Sequence, residues 1–194
     1  MVLKEVIRTE REIEASLDSI CRQLLVRHPQ LKDLVLVGIR TGGVFLAERL
    51  KKKVFKERGI SLPTGTIDIT LYRDDWTQLS QTPEVKETDV RFPVDGKEVL
   101  LIDDVLFTGR TIRAALDALL DLGRPQRIEL AVLIDRGHRE LPICADYVGS
   151  FVETSKEDSI DVELRELAGG ADQVIIEYRK HGLADSGNKQ KTLP

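Results

Sequence analysis

With 194 residues, of which 41% are hydrophobic and 32% charged, the chain can bury one α/β core and is neither disordered nor fibrous in make-up. A formal net charge of -4 argues against nucleic-acid binding through overall charge and leaves room only for a local basic face. Cys21 and Cys144 stand in no metal or redox spacing, the N-terminus is charged where a secretory leader is apolar, and no apolar run has membrane-spanning length, so a cytoplasmic protein without a membrane partner is expected.

In chain order, TERE at 9–12 has the form of a capping box. Ile13, Leu17, Ile20 and Leu24 then repeat at helical spacing until HPQ stops the helix, with His28 as a helix-end residue. LVLVGI at 34–39 is continuously apolar and predicts a strand buried on both faces, followed by RTGG and a second helix over about 44–57. TIDITL, 66–71, alternates and is rich in β-branched residues, so a strand is expected there. The polar segment of about 72–96 is long for a loop in a compact domain and is expected to be a mobile lid or binding loop. VLLIDDVLFTGRT, 99–111, runs from a buried strand into a helix that GRP at 123–125 closes. RIELAVLID is another buried strand, and YVGSFV, IDVEL and QVIIEYR are shorter strand-like pieces before a polar tail.

Alternating helices and buried strands predict a mostly parallel sheet covered on both faces. Ligands of such sheets bind beyond the carboxyl ends of the strands, where RTGG, DDVLFTGRT and DRGHRE converge. Thr108 to Thr111 lie at a helix start, where backbone N–H groups are unpaired, and Gly109 can turn left-handed to face them inward. That suits a phosphate. Asp103 and Asp104 repel one, so they must face donors: sugar hydroxyls or a hydrated cation. Either feature alone is also what a solvated turn with an N-cap looks like; together they describe a ribose 5-phosphate site.

The stretch VLLIDDVLFTGRT resembles the phosphoribosyl-pyrophosphate signature of type I phosphoribosyltransferases. With LVGIRTGG, DITLYRDD and LAVLIDRGHRELPICADYVG, the chain resembles the bifunctional pyrimidine-operon attenuator and uracil phosphoribosyltransferase family. The resemblance implies the type I phosphoribosyltransferase fold: residues 1–180 as one domain, with a small hood built from the segment after 135, and 181–194 as a disordered tail. It implies that uracil and phosphoribosyl pyrophosphate become UMP and pyrophosphate. It also implies UMP-responsive transcription attenuation through pyrimidine-operon leader RNA, and a homo-oligomer, dimer or higher.

By the same resemblance Thr108, Gly109, Arg110 and Thr111 hold the 5-phosphate, reached through Val105, Leu106 and Phe107. Asp103 and Asp104 hold the ribose hydroxyls, and Asp104 lies near Mg²⁺ held mostly by substrate oxygens and water. Arg40, Thr41 and Gly43 meet the pyrophosphate, which Arg73 reaches as the long loop closes and excludes water. Asp135, Arg136 and His138 face the base.

The chain departs from these relatives at Gly42, where they often carry a basic residue, which either weakens leaving-group binding or makes it depend more on Arg40. It also departs at Asp18, Ser19 and Cys144 on the RNA face, leaving Arg22, Arg27, His138 and Arg139 as RNA-binding candidates that can form a smaller basic patch. Fewer phosphate contacts weaken RNA binding and flatten its salt dependence. A regulator whose RNA binding is lost or altered therefore stays open, as does a transferase for a purine or xanthine, which needs a larger base pocket.

Overall fold

A strand that is apolar on both faces needs cover on both, and the computed structural model, which describes residues 3–72 and 88–178, supplies it. The order is β1 (Leu3–Thr9), α1 (Glu10–Arg27), β2 (Leu34–Ile39), α2 (Gly42–Arg58), β3 (Thr64–Ile67), a 3₁₀ turn (Thr70–Tyr72), β4 (Glu98–Leu106), α3 (Arg110–Leu120), β5 (Arg127–Asp135), β6 (Tyr147–Phe151), β7 (Ser159–Glu163), α4 (Arg165–Ala168) and β8 (Gln173–Tyr178). Five strands pair in parallel in the order β3-β2-β4-β5-β6; β1-β8-β7 form a separate antiparallel hood.

Leu34, Leu36, Leu100 and Ile102 turn to one face, where Ile13, Leu17, Ile20 and Leu24 of α1 and Leu46 and Leu50 of α2 meet them. Val35, Val37, Val99 and Leu101 turn to the other, against Ile112, Ala115 and Leu119 of α3. The chain leaves β2 toward β3 and leaves β4 toward β5, in opposite directions along the sheet. The two loops that follow β2 and β4 therefore part company at neighbouring strand ends, and the crevice between them is where an open α/β sheet takes its ligand.

The start of α1 follows the capping signal: the Glu12 carboxylate accepts from the Thr9 N–H at 2.8 Å and the Thr9 hydroxyl at 2.7 Å. Three expectations need correcting. The strand expected over 66–71 is β3, Thr64–Ile67, because the Asp68 carboxylate accepts from the Thr70 N–H (2.9 Å) and hydroxyl (2.6 Å) and turns the chain into the 3₁₀ segment. The hood is not built from the segment after 135 alone: it takes β1 from the N-terminal side, while β6, from that segment, joins the central sheet. Finally, the two acids do not follow β4 but lie within it, since the strand continues to Leu106. Most of the expected long loop, residues 73–87 with Arg73, and the tail from 181 lie outside the described residues.

Arg49 of α2 fastens the hood to the core. Arg49 is 8% exposed, and its guanidinium donates to Asp172 (2.5 and 2.8 Å), which follows α4, and to Glu166 (2.9 and 2.5 Å) within it. Asp172, 2% exposed, also accepts from the Arg165 N–H at 2.7 Å.

Candidate active site

The β4–α3 connection is a crook of main chain. Gly109, at φ 92° and ψ -5°, takes the left-handed conformation just before α3, one that L side chains rarely adopt. The carbonyls leading into it are held on one side. That of Leu106 accepts from the Arg136 N–H at 3.1 Å, and that of Thr108 from the N–H groups of Glu140 (2.9 Å) and Leu141 (3.1 Å). The first N–H groups of α3 have no intrahelical acceptor, and that of Arg110 meets the Thr108 hydroxyl at 3.4 Å. Arg110 flanks the mouth, its Nε donating to Glu140 at 2.8 Å.

Asp103 is 5% exposed, with its Oδ1 accepting from the Asp104 N–H at 3.0 Å; Oδ1 of half-buried Asp104 accepts from the Val105 N–H at 2.8 Å. Burial, then the charge of Asp104, holds the Asp103 carboxyl well above the usual range, and burial likewise raises Asp104, with Asp161 of β7 adding to the repulsion. The charged form of this pair is disfavoured, and sugar hydroxyls or a cation would stabilise it. Among the described residues no three acidic, histidine or cysteine side chains form a ready metal cage. What the acids fit is Mg²⁺ held by one or two carboxylates, substrate oxygens and water.

The turn after β2 presses directly on these acids. The Arg40 N–H donates to Ile67 O at 3.0 Å, and α2 opens at Gly42 with Thr41 as its N-cap. A Cβ on Gly42 would lie 2.2 Å from Asp104 Oδ2, and one on Gly43 2.2 Å from the Ile102 carbonyl. Main chain makes Gly43 necessary, whereas a side chain at 42 would displace the Asp104 carboxylate. Sequence reasoning saw Gly42 only as a missing basic residue; paired glycines beside a strand end were the available signal.

The third loop closes the site. Asp135 accepts from the Gly137 N–H (3.0 Å) and from Arg139 (2.5 Å). Arg136, 6% exposed, donates to the Thr154 hydroxyl (3.1 Å) and Ser155 carbonyl (2.7 Å), and its guanidinium lies 4.1 Å from the Phe107 ring. Burial lowers its pKa. His138 Nε2 donates to the Thr154 carbonyl at 2.7 Å, with its ring edge-on to Phe107 at 5.9 Å. Beside them is a cavity of about 670 Å³ that also reaches Cys144, Phe151 and Val152, a size suited to a small ligand.

The structure therefore brings together Arg40 to Gly43, Asp103 to Thr111, and Asp135 to His138. It does not gather the RNA-binding candidates into one patch. Arg27 pairs with Glu129 (2.9 Å) and Asp146 (3.1 Å) near the start of β5. His138 and Arg139 follow its other end, about 20 Å away at the rise of a strand. Arg139 turns inward onto Asp135 and main-chain carbonyls, whereas Arg22 is exposed on α1. Asp18, where a basic residue was expected, pairs with Lys53 at 2.6 Å and so joins α1 to α2. Asp161 and Arg49 were missed, because their relevance comes only from how the hood is placed.

The family profile of the phosphoribosyl transferase domain matches residues 7–166. The chain is 50% identical over 172 residues to the bifunctional protein PyrR of Syntrophobacter fumaroxidans, covering 89% of this chain and 92% of that one. It is 52% identical over 179 residues to that of Halalkalibacterium halodurans, covering 91% and 99%. Among solved structures, it is similar to a hypoxanthine phosphoribosyltransferase from Staphylococcus aureus, with 25% identity, a TM-score of 0.64 and 88% and 90% of the two chains covered. The hypoxanthine phosphoribosyl transferase of Trypanosoma cruzi, 17% identical with a TM-score of 0.67 over 89% and 90% of the chains, shares the fold. The chain belongs to the phosphoribosyl transferase domain family and, within it, to the bifunctional PyrR proteins.

Proposed function

We propose that the protein is a uracil phosphoribosyltransferase, forming UMP and pyrophosphate from uracil and phosphoribosyl pyrophosphate, and that it also regulates pyrimidine-operon transcription by binding leader RNA in response to UMP. One observation carries the enzymatic reading: a left-handed glycine opens a helix within a few residues of two neighbouring carboxylates on one strand, Asp103 buried and Asp104 half-buried. An anion subsite thus adjoins a pair of acids able to accept from sugar hydroxyls.

In the reaction the bond from the anomeric carbon to pyrophosphate breaks as a uracil ring nitrogen bonds to that carbon, and the nitrogen's proton leaves. Positive charge gathers on the ribose and negative charge on the departing group, so positioning and electrostatics supply most of the rate. The N–H groups of Thr108 to Thr111 hold the 5-phosphate. Asp103 and Asp104 accept from the ribose hydroxyls, and their charge faces the developing cation. Arg40, Thr41 and Gly43 receive the leaving group, joined by Arg73 from outside the described residues. Mg²⁺, when bound near Asp104, neutralises pyrophosphate charge. Asp135, Arg136 and His138 border the base, with the cavity beside β6 as its enclosure.

The regulatory reading is supported by half identity over nine-tenths of the chain to proteins named bifunctional. Arg139 is engaged internally, while Arg22 and Arg27 stay exposed on α1, Arg27 already paired with Glu129 and Asp146; fewer unpaired charges favour weak or altered RNA contacts. The free-base assay tests the enzyme: incubated with phosphoribosyl pyrophosphate and Mg²⁺, the protein consumes uracil and leaves hypoxanthine and xanthine untouched. Turnover of a purine base without uracil overturns the assignment.

A further inference from the structure

A loop can hold an anion by its N–H groups only if its carbonyls face elsewhere. In a trans peptide the two point in opposite directions, so whatever fixes a carbonyl fixes the next residue's N–H. The carbonyls of Leu106 and Thr108 are fixed by main-chain donors of the segment after β5. Between them, the Phe107 carbonyl is met by a side chain: Arg139 Nη1 donates to it at 2.8 Å. The same nitrogen reaches the carbonyls of Gly137 at 3.0 Å and Leu106 at 3.4 Å. Nε donates to the Ile143 carbonyl at 3.0 Å and Nη2 to Asp135 at 2.5 Å, so the planar fork is fixed on three sides.

We propose that Arg139 is a positioning residue for the 5-phosphate subsite: by holding the Phe107 carbonyl outward, it turns the Thr108 N–H toward the anion. This role is distinct from that of an RNA-binding candidate, and it rests on the assignment of the crook to a 5-phosphate. The arginine touches no substrate. It acts through one peptide plane, and it ties the loop beneath the base to the loop beneath the phosphate.

The test is calorimetric titration of the full chain with UMP and with uridine, which differ only by the phosphate. The unaltered protein binds UMP more tightly than uridine. Arg139→Gln loses about ten- to hundredfold in UMP affinity, the size of a lost charge-assisted hydrogen bond, and keeps its uridine affinity. Arg139→Lys, whose ammonium can still meet the Phe107 carbonyl, recovers part of the loss, and it carries the same comparison if the glutamine variant folds poorly. If the unaltered protein does not prefer UMP, the phosphate assignment fails and the proposal with it. If it does prefer UMP and the variants keep that affinity, or lose UMP and uridine equally, the proposal alone is overturned.

Discussion

Asp103 occupies a position that folding alone does not favour. A carboxyl 5% exposed beside a second acid has its pKa raised, so the native chain holds its proton more tightly than the unfolded chain does. The sign follows: stability falls as pH rises from the ordinary carboxylate range toward the raised value, because charging the group is easier in the unfolded state. Asp103→Asn removes that charge while keeping a polar side chain of the same shape. The variant is expected to melt at a higher temperature than the unaltered protein near neutral pH, and to lose about 10²-fold in kcat/KM. Thermal melts and uracil turnover measured on one preparation check both halves. A variant that loses stability along with activity would show the acid to be structural.

Among elements, the decisive contact is between the turn that opens α2 and the far end of β4. With 2.2 Å between the site of a Cβ on Gly42 and the Asp104 carboxylate, residue 42 can carry a side chain only if that carboxylate moves. Gly42→Ala is expected to displace the carboxylate, at an overpacking cost of about 1–3 kcal/mol. Because the displaced group belongs to the ribose subsite, KM for phosphoribosyl pyrophosphate should rise about tenfold while KM for uracil changes little. Unchanged kinetics for both substrates would mean that Asp104 relaxes freely and the turn has no hold on it.

Across the whole molecule, core and hood are joined through Arg49 and Asp172. The Asp172 carboxyl is held down to about 2, against its burial, by the Arg49 guanidinium and the Arg165 N–H. A depressed carboxyl contributes stability that is present above its unfolded pKa and lost as pH falls from about 4 toward the folded value. Asp172→Asn, which breaks a buried pair, is expected to cost about 3 kcal/mol at pH near 6. The gap to the unaltered protein should narrow as pH is lowered through that window, as read from urea midpoints; a gap that stays constant rules out the ion pair as its source. The parts legible in the sequence were those set by local pattern: the apolar strands 34–39 and 127–135, the Thr9 capping signal and the crook at Gly109. What could not be read depended on distant partners. Strand β1 shows an almost wholly exposed pattern and exists because β8 lies beside it. Arg139 sits in a polar, apparently surface-facing run, yet its acceptors at Leu106 and Phe107 come from some thirty residues upstream.

The pairing of Leu3 with Tyr178 also bears on how the protein comes into being. During synthesis β1 emerges first and has nothing to pair with until β8 has left the ribosome, whereas the parallel sheet can assemble from segments already made. Closing so long a stretch of chain costs entropy that only late contacts recover. The first strand of the hood therefore gains its partner only after the last strand has been made.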